Sequence, residues 1–220
     1  MRRLSLNFTL AVAFVAAAFA LLGNRADAQR LSQVPPPPGI EIATFAGGCF
    51  WCTEVDFDKL EGVTATISGF MGGSVPNPTY RQVVNGGTGH FEVVRVWYDP
   101  KKVSYERLVE YFVRTIDVTD AGGQFCDRGD MYRSAIFAHT PEQRAVAEKE
   151  LKAIAGRFKQ PIATELREAT AFTQAEDYHQ DFYKKDPGRY FSYRAGCGRD
   201  ARIKALWGDE AFGAAKKTVN

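Results

Sequence analysis

Cys49 and Cys52 stand three residues apart in Gly47-Gly48-Cys49-Phe50-Trp51-Cys52, the one place where two thiols of this chain fall within a helical turn. Thiolates attack and thiols do not, so a reactive cysteine needs its pKa lowered. The apolar run from Ile40 to Ala46 reads as a strand, Gly47-Gly48 as a turn, and Phe50 to Leu60 as a helix. A cysteine at a helix start meets free N–H groups and partial positive charge. The two glycines allow a sharp turn and leave space above the sulfur. Cys49 is therefore expected to be an activated nucleophile, and Cys49 and Cys52 can close a short disulfide.

Spacing alone leaves three readings open: a nucleophilic thiol enzyme, a thioredoxin-like oxidoreductase, or structural disulfides. A c-type haem site needs His after the second cysteine, and residue 53 is Thr. A four-cysteine zinc site usually takes two close pairs, and Cys126 and Cys197 are isolated, so no metal is expected. The four cysteines allow three disulfide connectivities. A mature domain of roughly 190 residues buries a sufficient core without staples, which keeps redox chemistry in contention.

The elements that must position these residues follow from periodicity. Val63 to Met71 is β-rich and ends in Gly72-Gly73. Residues 74–90 carry Pro, Asn and Gly and read as loop. Phe91 to Tyr98 alternates like a strand and closes at Asp99-Pro100. Tyr105, Leu108, Val109, Phe112 and Ile116 fall at helical spacing. Residues 117–131 show no period and read as loop, and Arg133 to Ala138 as strand. Thr140-Pro141-Glu142-Gln143 starts a helix, with Thr as cap and Pro in the first turn; it runs to about Ala155. Ala163 to Ala171 is a further strand. From Glu176 a short helix and then Gly- and Arg-rich coil are expected. The order β-α-β-β-α-β-α-β suits an α+β two-layer sandwich with a mixed sheet around a ferredoxin-like core and an irregular C-terminal tail.

Residues 1–28 read as a secretory signal peptide: Arg2-Arg3, then the apolar run Leu10 to Leu22, then Ala26-Asp27-Ala28. The apolar run is short for a membrane span. Export with cleavage before Gln29, to the periplasm or outside, is the expectation; an uncleaved anchor is the alternative. Residues 29–39, with four consecutive prolines, read as an extended linker, residues 40–200 as one domain and residues 201–220 as a tail. Arg2, Arg3, Arg25 and Asp27 together account for the formal net charge of +2. The body has no Lys/Arg-rich run, so nothing points to nucleic acid.

Several ordered segments decide between the readings. Gly48-Cys49-Phe50-Trp51 with Glu54 resembles the signature of A-type peptide methionine sulfoxide reductases. Gly69-Phe70-Met71-Gly72-Gly73, Asn77-Pro78-Thr79-Tyr80, Thr88-Gly89-His90-Phe91-Glu92-Val93-Val94, Tyr98-Asp99-Pro100, Tyr132-Arg133-Ser134 and Ala175-Glu176-Asp177-Tyr178-His179-Gln180 follow at family spacing. The resemblance covers roughly residues 41–200. It implies a thiol-dependent reductase of methionine S-sulfoxide in proteins, without metal or organic cofactor, monomeric, and recycled by a thioredoxin-like reductant. It implies Cys49 as nucleophile and Glu92 as the acid on the sulfoxide oxygen. Tyr80 and Tyr132 would hydrogen-bond that oxygen, and Phe50 and Trp51 would seat the S-methyl group. Asp127 would support the cluster. His90 and His179 match family positions and read as structural.

The chain also departs from the pattern. Position 52 is often Gly in the family and here is Cys. Cys52 and Cys197, the latter in Gly196-Cys197-Gly198, are thus both candidate resolving thiols, with Cys52 favoured. Ile116-Asp117-Val118-Thr119 stands for His-Asp-Pro-Thr, and Phe91 for Ala. Gln124-Phe125-Cys126 precedes Asp127, and Cys126 reads as a small buried side chain.

Overall fold

The computed structural model describes residues 35–213. The expected signal peptide, the first half of the linker and the last seven residues lie outside the described residues. Among the described residues no helix is long and apolar enough to cross a membrane.

The sheet is built from β1 (Glu41–Gly47), β2 (Val63–Met71), β3 (Phe91–Tyr98) and β6 (Ser134–Ala138), with β4 (Gly123–Gln124) and β5 (Asp127–Arg128) forming a small separate ribbon. The order β6-β1-β3-β2 is antiparallel throughout. α1 (Phe50–Asp58) follows β1, and α3 (Tyr105–Val113) lies between β3 and β6, so the core is the expected ferredoxin-like βαββαβ unit. β7 (Glu165–Glu168) returns through α4 (Pro141–Ala155) to pair parallel with β6, and β8 (Thr173–Gln174) pairs antiparallel with β2. The sheet is therefore mixed.

Period-two alternation in β3 divides the interior. Val94, Val96 and Tyr98 enter the main core against the helices, while Phe91 and Val93 enter a smaller cluster with Met71 and Phe137 on the opposite face. Glu92 shares the parity of Val94, so its carboxyl is carried onto the helix-covered face. On that face the helical residues Tyr105, Leu108, Val109 and Phe112 are buried, with Ile116 just beyond. Ser104 caps α3 and Thr140 caps α4, each accepting from the amide three residues on.

Three expectations change: the segment 117–131, read as loop, carries the paired strands β4 and β5, and two further segments are helical. The segment 74–90 contains a short helix, α2 (Tyr80–Val84), begun by a reciprocal capping box between Thr79 and Gln82. The tail is helical: α5 (Phe182–Lys185), α6 (Pro187–Gly196) and α7 (Arg199–Trp207), then a 3₁₀ segment Gly208–Gly213. Ile203 and Trp207 are buried in the main core. The Gly- and Arg-rich composition that suggested coil instead supplies helix ends and buried guanidinium groups. α1 is thus packed both against the sheet and against C-terminal helices, which explains why it is buried nearly all round.

Candidate active site

Cys49 is the N-cap residue of α1, and its carbonyl accepts from the Cys52 and Thr53 amides at 3.1 and 3.3 Å. Gly48 precedes it at φ +79°, and a Cβ there would meet the Gln124 Cβ at 2.5 Å. The strand–turn–helix reading holds, and Gly is required at position 48.

Cys49 is 7% and Cys52 2% exposed, and both are free thiols. They hydrogen-bond each other. Burial pushes the Cys49 thiol well above its ordinary value, with Cys52 and Glu92 adding to the rise. The hydrogen bond from Cys49 lowers Cys52, and Arg199 and Arg194 add positive charge nearby. Within the pair, Cys52 is therefore the thiol that ionises more readily. This corrects the expectation of a lowered Cys49: the helix N-terminus faces a dry pocket, and burial outweighs it.

Glu92, 2% exposed, accepts from the Phe50 amide at 3.0 Å. Burial raises its pKa to about 8, against the lowering effect of that N–H. The carboxyl is therefore protonated near neutral pH. Tyr80 and Tyr132 lie beside it and beside each other, and burial raises both; Tyr80 reaches about 12. They are donors at all ordinary pH values.

An aromatic slot adjoins the thiol. Phe50 packs against Phe70, Tyr80 and His179 with centroids 5.9, 6.3 and 4.9 Å apart. Trp51 stacks on Phe182 at 3.7 Å and donates from Nε1 to His179 Nδ1 at 3.0 Å. That bond places the His179 ring proton on Nε2, and burial lowers its pKa to about 4, so the imidazole is neutral. His90 accepts from the Gly73 amide at 3.2 Å, in keeping with its structural reading. Glu54, part of the sequence signature, is 1% exposed, accepts from the Asp181 amide at 3.1 Å, and is raised to about 8 by burial.

The structure therefore brings Cys49, Cys52, Phe50, Trp51, Tyr80, Glu92 and Tyr132 together. Asp127 joins them through a residue the sequence reading missed. The Tyr193 hydroxyl donates to Asp127 Oδ2 and lies within hydrogen-bonding reach of Cys49. Tyr193 precedes Cys197 by four residues, the spacing of one helix face, a signal hidden by reading this segment as coil. Arg199 was missed as well. It is 2% exposed and donates to the Gly47 and Thr115 carbonyls at 3.1 and 2.9 Å, tying α7 to the turn before Cys49.

Cys126 and Cys197 depart from expectation. Cys126 is exposed rather than buried, and it is disulfide-bonded to Cys197, with Cα atoms 4.9 Å apart. Cys197 is the C-cap of α6 and not part of a loose tail.

A ferredoxin-like sheet that holds a buried thiol pair beside a protonated carboxyl is the frame of a thiol-dependent oxidoreductase. A family model described as peptide methionine sulfoxide reductase matches residues 41–211. The chain is 51% identical over 170 residues to peptide methionine sulfoxide reductase MsrA of Listeria innocua, covering 76% of this chain and 96% of that one. It is 49% identical over 199 residues to MsrA/MsrB of Vibrio cholerae, covering 90% of this chain but only 51% of that relative, about half its length. Among solved structures it is similar to reduced Mxr1 of Saccharomyces cerevisiae, with TM-score 0.66 and 30% identity over 70% of this chain and 90% of that one. It is also similar to methionine sulfoxide reductase A of Corynebacterium diphtheriae, with TM-score 0.62 and 36% identity over 69% and 77%. The chain belongs to the peptide methionine sulfoxide reductase family.

Proposed function

We propose that the domain reduces the S epimer of methionine sulfoxide, in proteins and as the free amino acid, through Cys49, Glu92, Tyr80 and Tyr132. The observation that carries this is the buried, protonated Glu92 held beside Cys49 by the Phe50 amide. A sulfoxide needs a nucleophile at sulfur and a proton at oxygen, and a neutral carboxyl supplies the proton without opposing the incoming thiolate.

The proton of Cys49 passes to Cys52, and the Cys49 thiolate attacks the substrate sulfur while Glu92 protonates the oxygen. Tyr80 and Tyr132 donate hydrogen bonds to that oxygen. Phe50 and Trp51 receive the S-methyl group, a contact that suits sulfur at aromatic edges. In the adduct so formed the hydroxyl passes from the substrate sulfur to Cys49 Sγ as the S–O bond and the new S–S bond break, so that methionine leaves as the thioether and Cys49 carries the oxygen as a sulfenic acid. Cys52 then attacks Cys49, expelling water and forming the Cys49–Cys52 disulfide. The net change is one sulfoxide and two thiols to one thioether, one disulfide and one water. Asp127 acts through Tyr193, whose hydroxyl it accepts.

The protein is read as exported after cleavage before Gln29, monomeric, and reduced by a thioredoxin-like dithiol protein. The purified domain with dithiothreitol should convert the S and not the R epimer of N-acetylmethionine sulfoxide. Inactivity on both epimers would sink the proposal. Fractionation of the native host should find the mature chain starting at Gln29 outside the cytoplasm; a cytoplasmic chain retaining Met1 would refute export.

A further inference from the structure

We infer that Arg199 is a positioning residue for the disulfide step: its buried guanidinium is the counter-charge for Cys52 as that thiol attacks Cys49. The inference rests on the proposed function, which makes Cys52 the resolving thiol.

Cys52 and Asp56 lie four residues apart on α1 and share one face. Two guanidinium groups from the C-terminal helices converge on that face. Arg194 of α6, 7% exposed, meets Asp56 Oδ1 at 3.0 Å and donates to the Tyr190 hydroxyl at 3.0 Å. Tyr190 packs in the same small cluster as Cys52. Arg199 opens α7, and its bonds to the Gly47 and Thr115 carbonyls fix it under the turn that carries both thiols. Its approach to Asp56 Oδ2 is 3.9 Å, too long for a hydrogen bond.

The buried charges do not balance. Arg194 has a second carboxylate, Asp200, at 2.8 Å on its outer side. Arg199 shares Asp56 with Arg194, and among the described residues no other carboxylate forms an ion pair with it. Its Nε is buried and makes no hydrogen bond. A buried cation without a full partner is unfavourable. Asp127 lies near enough to feel Arg199 but is tied to the Tyr193 hydroxyl. Cys49, Glu92, Tyr190 and Tyr193 face Cys52 as protonated groups. A thiolate at Cys52 supplies the missing negative charge.

The charge matters most after the first step. In the reduced pair the hydrogen bond from Cys49 is the largest influence lowering Cys52; burial opposes it, and Arg199 and then Arg194 add to the lowering. Once Cys49 is a sulfenic acid, that thiol hydrogen bond is spent, and the guanidinium charges are what opposes burial. Cys52 gives its proton to the departing hydroxyl, its sulfur bonds to Cys49 Sγ, the S–O bond breaks and water leaves. Negative charge develops on Cys52 in that step, beside a cation already fixed in place.

The test separates charge from hold. Arg199→Lys keeps the charge but lacks the planar fork that bridges two carbonyls. Arg199→Gln keeps a donor and loses the charge. Fully reduced protein is mixed with substrate sulfoxide and no reductant. Methionine is measured, and Cys49 is followed by dimedone trapping and by mass spectrometry of the Cys49–Cys52 disulfide. Arg199→Gln should slow disulfide closure at pH 7 by about tenfold or more, the effect of losing one charge beside a thiol. Closure should recover as rising pH ionises Cys52 unaided. Methionine formation should fall less, because the Cys49 hydrogen bond is in place for that step. Arg199→Lys should close within roughly threefold of the wild-type rate. Equal losses in methionine formation and closure that do not recover with pH would mark Arg199 as a structural clamp and overturn the inference. So would closure as slow with Lys as with Gln, or unslowed with Gln. Should Arg199→Gln not fold, the Lys variant decides alone: wild-type closure upholds the charge, and lost closure or lost fold overturns it. Closure unslowed in Cys52→Ser would also overturn it and leave the reductase reading intact. No methionine from wild type would instead refute the reductase reading, and this inference with it.

Discussion

The Phe50 amide nitrogen lies 3.0 Å from Glu92 Oε2, joining the first residue of α1 to the second residue of β3. One hydrogen bond therefore fixes the acid relative to the thiol at the adjacent N-cap. It does so without a second charge, so burial can keep the carboxyl protonated.

Replacing Glu92 by Gln should lower kcat by roughly a hundredfold to ten-thousandfold, the usual worth of a positioned acid. Wild-type rate should fall as pH rises through about 8, because the acid works only while protonated and its pKa is raised to about 8. The variant should lack that limb. A wild-type profile flat from pH 6 to 10 would contradict the assignment.

Tyr80→Phe and Tyr132→Phe should each cut kcat/KM by roughly tenfold to a hundredfold, each removing one donor to the sulfoxide oxygen. The double change should cost less than the product of the two, since each hydroxyl also orders the other. Full activity in the double variant would exclude both from the reaction.

The pH dependence of stability has a definite sign. Glu54 and Glu92 are carboxyls whose folded pKa values, about 8, lie above the ordinary 4.5. Their contribution is present in full below the unfolded value and is lost as pH rises toward 8. Urea midpoints should therefore be higher at pH 5 than at pH 8. Glu54→Gln, which keeps an acceptor for the Asp181 amide, should narrow that gap; an unchanged gap would show that Glu54 ionises normally.

Gly48→Ala should cost about 1–3 kcal/mol from the left-handed backbone alone. It also drives a methyl into Gln124, whose side chain holds the Asp117 amide at 2.8 Å. Turnover should fall by about tenfold as Cys49 shifts. Denaturant titration and steady-state kinetics on the same preparation separate the two effects.

Trp207→Ala should destabilise the domain by roughly 3–5 kcal/mol, as expected for emptying a large core site. A chain ended after residue 200 should fail to fold cooperatively. If it unfolds with the wild-type midpoint, the C-terminal helices are an appendage and not part of the domain.

Much was legible in one dimension because it is local. Glycine before Cys49, the cap at Thr140, the alternation of β3 and the helical face of Tyr105 to Phe112 each depend on neighbours in the chain. The position of Glu92 on the helix side follows from counting by two from Val94. The order of short motifs was enough to suggest the family and to name Cys49, Glu92, Tyr80 and Tyr132.

What the tertiary structure alone decided are quantities set by burial and by contacts between distant segments. The Cys49 thiol is raised rather than lowered because a helix from residues 187–196 and the sheet exclude water from a site that looked merely like a helix start. Cys126 meets Cys197 across 71 residues, a pairing with no local signal. Arg199 was one arginine in a coil-like tail until folding placed it beneath Gly47. Periodicity reports the face a residue presents; it carries no information about what the rest of the chain lays over that face, and that covering sets the dielectric, the proton and the disulfide partner.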